Sequence, residues 1–236
     1  MNEVYFNINE LKQLGLKHGT DKASIHSYTK IYSDLFKHLR NNKIRLLEIG
    51  AGDIGASHKM WRDYFPNAEI FCIDPFHLPD HQEGLQTILE DYGVKVFKGN
   101  QLNKNDLKNF IKCFGGDFDV IIDDGAHLPD AIQTSLGFLF PFLKSDGLYI
   151  VEDLVTAKDR QQRLDVVNKH IEGLLNIPHV VDCNLEESFR IYEDTKVWNS
   201  SMLDDKEKEY LANNISTWSF HNDTMGPKNL CVIKKK

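Results

Sequence analysis

The stretch Arg45-Leu46-Leu47-Glu48-Ile49-Gly50-Ala51-Gly52-Asp53-Ile54-Gly55 sets a short branched-residue strand directly before a GxGxxG turn. Glycines at such a turn let the chain reverse tightly and let its backbone approach a ligand closely. A helical pattern over 57–65 follows, and the next short strand, Glu69-Ile70-Phe71-Cys72-Ile73-Asp74, ends in a carboxylate. Asp74 stands twenty-two residues past Gly52, the spacing at which a carboxylate accepts hydrogen bonds from a ribose diol. The pair points to an adenosine-type cofactor, and both NAD and S-adenosylmethionine present a ribose at that place. Glu48 favours the second. Beside the first glycine its charge would repel a pyrophosphate and attract the amino group of a methionine moiety.

Working outward, short apolar runs alternate with amphipathic ones. The strands expected are 45–49, 69–74, 94–97, 118–123 and 148–152, with helical patterns at 57–65, 84–92, 105–114 and 129–143. Pro129 suits the first turn of the last of these helices. Such alternation implies an α/β fold, a Rossmann-like, mostly parallel sheet with helices on both faces. Residues 8–40 read as a helical cap, with Tyr28, Ile31, Tyr32, Leu35, Phe36 and Leu39 at three- and four-residue steps. The expected organisation is therefore a cap segment over 1–40 and one globular unit over 41–236. After a long helix expected at about 156–175, strands at 216–221 and 230–233 flank Asn222-Asp223-Thr224-Met225-Gly226-Pro227 and read as a closing antiparallel hairpin.

Composition narrows the function. With 236 residues, 27% charged and a net charge of −7, the chain fits a compact domain with no general pull on phosphate backbones or anionic membranes. A nucleic-acid partner is not expected. Met1–Phe6 lack a basic start and an apolar run, and no uncharged stretch approaches the roughly 20 residues of a membrane span, so a cytoplasmic enzyme is expected. Cys72, Cys113, Cys183 and Cys231 form no CxxC pair, which argues against a disulfide framework or a thiolate zinc site. Trp61, Tyr64 and Phe65 read as a helix face packed on the sheet, Trp198 and Trp218 as core, and Lys234-Lys235-Lys236 as a solvated terminus.

The chemical signal lies at the ends of two later strands, Ile121-Ile122-Asp123-Asp124-Gly125-Ala126-His127 and Ile150-Val151-Glu152-Asp153-Leu154. In an open parallel sheet the ligand site lies outside the carboxyl ends of the strands, which would bring Asp124, His127, Glu152 and Asp153 together. Several carboxylates in one cleft repel each other unless a cation neutralises them. Oxygen ligands without thiolates suit magnesium or another hard divalent ion. His127, beyond a glycine, can reach a hydroxyl held there, and imidazole is the side chain suited to a general base near neutral pH.

Taken together these motifs resemble the class I S-adenosylmethionine-dependent methyltransferases, and more narrowly the metal-dependent O-methyltransferases of macrolide sugars. The resemblance rests on His18-Gly19-Thr20-Asp21-Lys22 with His26 and Tyr28, Leu47-Glu48-Ile49-Gly50, Met60-Trp61-Arg62-Asp63-Tyr64-Phe65-Pro66, Gly99-Asn100-Gln101, Asp123-Asp124-Gly125-Ala126-His127, Val151-Glu152-Asp153-Leu154 and Phe220-His221. It implies that Asp124, Glu152 and Asp153 hold magnesium and that His127 is the base. It further implies that Glu48, Gly50, Gly52 and Asp74 hold the methionine and ribose of S-adenosylmethionine. Asn100, Gln101 and Asp123 would line its adenine and methyl-donor side, and Thr20, Asp21, Lys22 and Tyr28 would close over it. Asn100 stands where an aspartate is common in that group. The acceptor implied is a hydroxyl of a sugar or glycosylated small molecule, and homo-oligomerisation stays open. Two other classes share the glycine turn: an NAD(P)-dependent oxidoreductase or epimerase, and a non-catalytic cofactor-binding module. The first leaves the acidic loops without a role, and metal-dependent turnover separates the second.

Overall fold

The computed structural model describes residues 9–77, 81–154, 202–223 and 226–236. The elements in chain order are α1 (Asn9–His18), α2 (Asp21–Ser24), α3 (Tyr28–Phe36), β1 (Arg45–Ile49), α4 (Ala56–Tyr64), β2 (Glu69–Asp74), α5 (Leu85–Asp91) and β3 (Val94–Lys98). They continue with α6 (Lys104–Phe114), β4 (Phe118–Asp123), α7 (Pro129–Leu139), a 3-10 turn (Phe140–Phe142), β5 (Leu143–Val151), α8 (Asp205–Asn214), β6 (Ile215–Asp223) and β7 (Gly226–Lys235). Among the described residues seven strands form one sheet in the order β3-β2-β1-β4-β5-β7-β6. β1 to β5 run parallel, and β7 runs antiparallel to both β5 and β6.

The two-residue alternation of strand side chains sorts the core into two layers. Leu47, Ile49, Phe71, Ile73, Ile121, Tyr149 and Val151 face one side, covered by Leu107 and Phe110 of α6, Ile132 and Leu136 of α7 and Leu211 of α8. Leu46, Ile70, Cys72, Val120, Ile122 and Ile150 face the other, covered by Leu11 of α1, Tyr28, Tyr32 and Phe36 of α3, Trp61 of α4 and Leu89 of α5. The helices of the N-terminal segment thus share a core with the sheet. Trp61, Tyr64, Phe65 and Trp218 are buried, as their apolar spacing suggested. β2, β3 and β4 also fall where the branched runs put them.

Three expectations need correcting. The helix expected over 129–143 stops at Leu139, because Pro141 has no N–H to continue the ladder and the chain tightens into the 3-10 turn. β5 then begins at Leu143 rather than 148. The terminal lysines are not uniformly solvated: β7 carries Lys235 into the protein, where its ammonium donates to the carbonyls of Pro141 at 2.9 Å and Leu143 at 2.7 Å. The helix expected at 156–175, Cys183 and Trp198 lie outside the described residues. No helix of the described residues is long and apolar enough to cross a membrane.

Candidate active site

At the carboxyl ends of β1 to β4 a cleft of about 810 Å³ opens, a size suited to a small-molecule ligand. One side is the glycine turn. Gly50 has a φ of +95°, and a Cβ there would stand 2.1 Å from the carbonyl oxygen of Asp124, so only glycine lets the β1 and β4 loops touch. Gly52, at φ +57°, borders open space in which a Cβ would meet nothing within 4 Å. Asp74 is tied to this turn: its Oδ2 accepts the Ala51 N–H at 2.9 Å and its Oδ1 accepts the Phe76 N–H at 2.5 Å. A carboxylate has about four acceptor positions, so one that receives two backbone donors keeps capacity for a ligand diol.

Behind the glycine turn lies a buried ionic cluster. Glu48, at the end of β1, accepts from Ser57 Oγ at 2.9 Å and Trp61 Nε1 at 3.0 Å. Glu152, just past β5, accepts from Tyr32 OH and from Lys22 Nζ, the latter at 2.7 Å. Lys22, 1% exposed, also donates to Asp124 Oδ2 at 2.5 Å and lies 3.3 Å from Glu48 Oε1. Burial acts to lower the pKa of Lys22, but Asp124, Glu152 and Glu48 outweigh it and hold the ammonium well above its usual range. Burial pushes Glu48 up to about 7 against the opposing pull of Lys22. It pushes Glu152 well above the usual carboxylate range as well. His58 contacts Glu48 at 3.3 Å, and burial followed by the Lys22 charge lowers it to about 4, so the imidazole is neutral.

The lining of the cleft also carries Asp124, His127 and Asp153, each offering a ligand atom within 4.8 Å of the others. His127 Nε2 lies 3.8 Å from Asp124 Oδ1. Asp153 Oδ1 accepts from Tyr28 OH at 2.7 Å. His127 and Asp153 both take positive φ, +52° and +48°, a region that non-glycine residues enter at some cost. Two carboxylates and an imidazole lining one cleft form a donor set that fits a divalent ion.

In overall structure the chain superposes on MycE, a methyltransferase of the mycinamycin biosynthetic pathway solved with Mg, SAH and mycinamycin VI, with a TM-score of 0.68 and 22% identity over 96% of this chain and 54% of that one. The chain has the class I methyltransferase fold. A putative rRNA methylase from Clostridium thermocellum shares this fold more distantly, with a TM-score of 0.53 at 13% identity over 87% of this chain and 96% of that one. No model of a protein family matches the sequence. Among curated proteins, the methyltransferase-fold chain is similar to the 8-demethyl-8-(2-methoxy-alpha-L-rhamnosyl)-tetracenomycin-C 3'-O-methyltransferase of Streptomyces olivaceus, at 36% identity over 155 residues. It is 30% identical over 155 residues to the mycinamicin VI 2''-O-methyltransferase of Micromonospora griseorubida. Each match covers 63% of this chain and 37% of the relative, so the chain spans little more than a third of the length of the curated relatives it matches.

Within this methyltransferase fold the residues singled out from sequence divide into two groups. Thr20, Asp21, Gly50, Gly52, Asp74, Asn100, Gln101, Asp124, His127 and Asp153 line the cleft. Lys22, Tyr28, Glu48, Asp123 and Glu152 do not; they stand behind its walls. The reason is strand alternation. Asp123 points to the α7 side, where its carboxylate accepts from Gln101 Nε2 at 3.0 Å, Tyr149 OH at 3.1 Å and Ser135 Oγ. It therefore anchors Gln101, whose Oε1 accepts the Ala126 N–H at 2.8 Å. Glu48 and Glu152 point to the other side, into the cluster around Lys22.

Sequence reasoning missed Tyr32, Ser57, His58 and Ser135, which hold or contact the buried carboxylates. For Tyr32 a signal existed: it follows Tyr28 by one helical turn, and two phenols on one helix face can both donate toward an acidic loop. His221 pairs with Ser219 Oγ at 3.0 Å on β6 and is not among the residues that line the cleft. The acidic run at 204–209 opens α8 with a capping box between Asp204 and Glu207, and Glu207 also receives Lys104 at 2.7 Å.

Proposed function

We propose that this chain provides the catalytic unit of an S-adenosylmethionine-dependent, divalent-metal-assisted O-methyltransferase acting on a hydroxyl of a sugar or glycosylated small molecule. One observation carries the reading: a single cleft is lined both by the glycine turn with Asp74 and by Asp124, His127 and Asp153. The similarity to sugar O-methyltransferases over 155 residues supports the acceptor class.

In this reading Gly50, Gly52 and Asp74 bind the cofactor, with Asn100 and Gln101 along its far edge and Thr20 at the rim. Gly52 gives the cradle that a side chain would fill, and Asp74 offers its remaining acceptor positions to the ribose. Asp124 and Asp153 would hold the metal, because a hard divalent ion prefers oxygen, and His127 is left to receive the proton of the acceptor hydroxyl. When bound, the cofactor supplies an electrophilic methyl group and the ion lowers the pKa of a nearby hydroxyl. The protein's further part is to hold donor and acceptor at contact distance and to keep Asp124 and Asp153 fixed through Lys22 and Tyr28.

The test is calorimetric titration with S-adenosylhomocysteine and with NADH, each with magnesium and after chelation, followed by methyl transfer to glycosylated acceptors. Saturable binding of S-adenosylhomocysteine without NADH binding, and turnover that chelation removes, are expected. NADH binding alone would overturn the reading.

A further inference from the structure

Between β2 and α5 two residues meet the Asp74 carboxylate at Oδ1, while the N–H of Ala51 occupies Oδ2. Phe76 donates its N–H to Oδ1 and holds a φ of +49°, a left-handed backbone that a bulky side chain enters only at a cost. The second is His81. Its Nε2 stands 3.9 Å from Oδ1, and its ring meets that of Phe76 edge-on with 6.0 Å between centroids. The His81 side chain is 7% exposed, and neither of its ring nitrogens has a hydrogen-bond partner among the described residues. A neutral imidazole carries one donor and one acceptor, and burying both unpaired is unfavourable. The next residue, Gln82, donates its N–H to the carbonyl of Asp53 at 2.8 Å, so the chain that carries His81 is tied to the glycine turn.

We propose that His81 is a positioning residue of the cofactor site, whose Nε2–H donates to Oδ1 of Asp74 when a ribose engages that carboxylate. The separation of 3.9 Å is about 1 Å longer than a hydrogen bond, so a small shift of the ring pairs the buried donor with a carboxylate oxygen. Asp74 lines the cleft and His81 does not, so the action of His81 on a ligand passes through the acid. With Ala51 at one oxygen and Phe76 and His81 at the other, the plane of the carboxylate is fixed. A ligand then meets an acceptor that it does not have to order, which is how a buried neighbour raises affinity without touching the ligand. Because the donor belongs to the chain that Gln82 joins to Asp53, the same contact couples the ribose acid to the glycine turn.

The inference rests on reading the cleft as an S-adenosylmethionine site, and the experiment separates the two. S-adenosylhomocysteine is titrated calorimetrically into the full chain and into variants. His81→Leu, which keeps bulk and removes both nitrogens, is expected to weaken binding about tenfold, the effect of losing one hydrogen bond to a charged group. His81→Gln, whose amide nitrogen can reach the place of Nε2, should restore affinity to within about threefold of wild type. In an Asp74→Asn background, where the charge is gone, His81→Leu should cost less than about threefold more, whereas a histidine that only fills space would cost the same in both backgrounds. Wild-type affinity in His81→Leu, or equal costs in the two backgrounds, overturns the inference. If His81→Leu does not fold, nuclear magnetic resonance of the wild-type protein carrying isotope-labelled histidine decides alone. The His81 Nε2–H signal, assigned by its absence in His81→Gln, should move downfield when S-adenosylhomocysteine is added, and an unmoved signal in a protein that binds the ligand overturns the inference. Absence of S-adenosylhomocysteine binding in wild type would instead overturn the reading of the cleft, and the role of His81 with it.

Discussion

The N–H of Ala51 donates to Oδ2 of Asp74 at 2.9 Å, so the glycine turn after β1 and the acid at the end of β2 are one mechanical unit. Asp74→Ala should therefore do two things at once: remove the ribose acceptor and release the turn. Asp74→Asn keeps an acceptor for Ala51 and loses only the charge. A charge-assisted hydrogen bond contributes about 1.5–3 kcal/mol, which corresponds to roughly a 10- to 100-fold change in Kd. We expect Asp74→Asn to weaken S-adenosylhomocysteine binding by that factor with little change in Tm, and Asp74→Ala to weaken it further and lower Tm. Equal affinities for the two variants and wild type, measured by calorimetry, would remove Asp74 from the site.

The two glycines of the turn make different predictions. In Gly50→Ala the new methyl group meets the Asp124 backbone at 2.1 Å and carries a positive φ, so loss of about 2–4 kcal/mol of stability is expected, along with cofactor binding. In Gly52→Ala the methyl group meets nothing, and the cost is the left-handed backbone alone, about 1 kcal/mol. Its effect should fall on S-adenosylhomocysteine affinity. Denaturant melts paired with titrations separate the two, and a Gly52→Ala variant that binds as wild type would place the ligand elsewhere in the cleft.

His127 stands on the cleft wall 3.8 Å from Asp124 and belongs to no core cluster. Replacing it with alanine should lower methyl transfer by about 10²–10⁴-fold, the usual contribution of a general base, while S-adenosylhomocysteine binding survives. Normal turnover in His127→Ala would assign the proton to another acceptor.

His58 is buried and held neutral, with its pKa lowered to about 4. Below its ordinary value near 6.5 the unfolded chain takes up the proton and the folded chain does not. Stability is therefore complete above about pH 6.5 and falls as pH drops toward 4. Glu48, the carboxylate 3.3 Å from Nδ1, keeps Ser57 and Trp61 as donors, so His58→Leu removes the titrating group without stranding that carboxylate. Between pH 7 and pH 5 the variant should lose less stability than wild type, by on the order of 2 kcal/mol. Denaturant unfolding at the two pH values checks this, and equal losses would show that His58 does not contribute to acid sensitivity.

Much of this protein is local in origin. The strands at 45–49, 69–74 and 118–123 were legible because branched and aromatic runs bounded by glycine and polar residues have few other backbone states. The glycine turn and Asp74 were legible because their relation is a fixed spacing across one strand-helix-strand unit. Asp124, His127 and Asp153 could be assigned to one end of the sheet, since parallel topology brings successive strand ends together.

What tertiary structure decided is the direction each acid faces and what meets it there. Adjacent residues on a strand point to opposite faces, so Asp123 went to Ser135 and Tyr149 while Asp124 turned to Lys22 and His127. Glu152 accepts from Lys22 and Tyr32, 130 and 120 residues away in sequence, and no local pattern encodes those pairings. The sequence determined which residues carry charge and which strand ends bring them close. Only the packing of the N-terminal helices against the sheet decided that one of these charges is answered by a lysine, because a buried carboxylate must be paired by whatever cation the fold brings within reach.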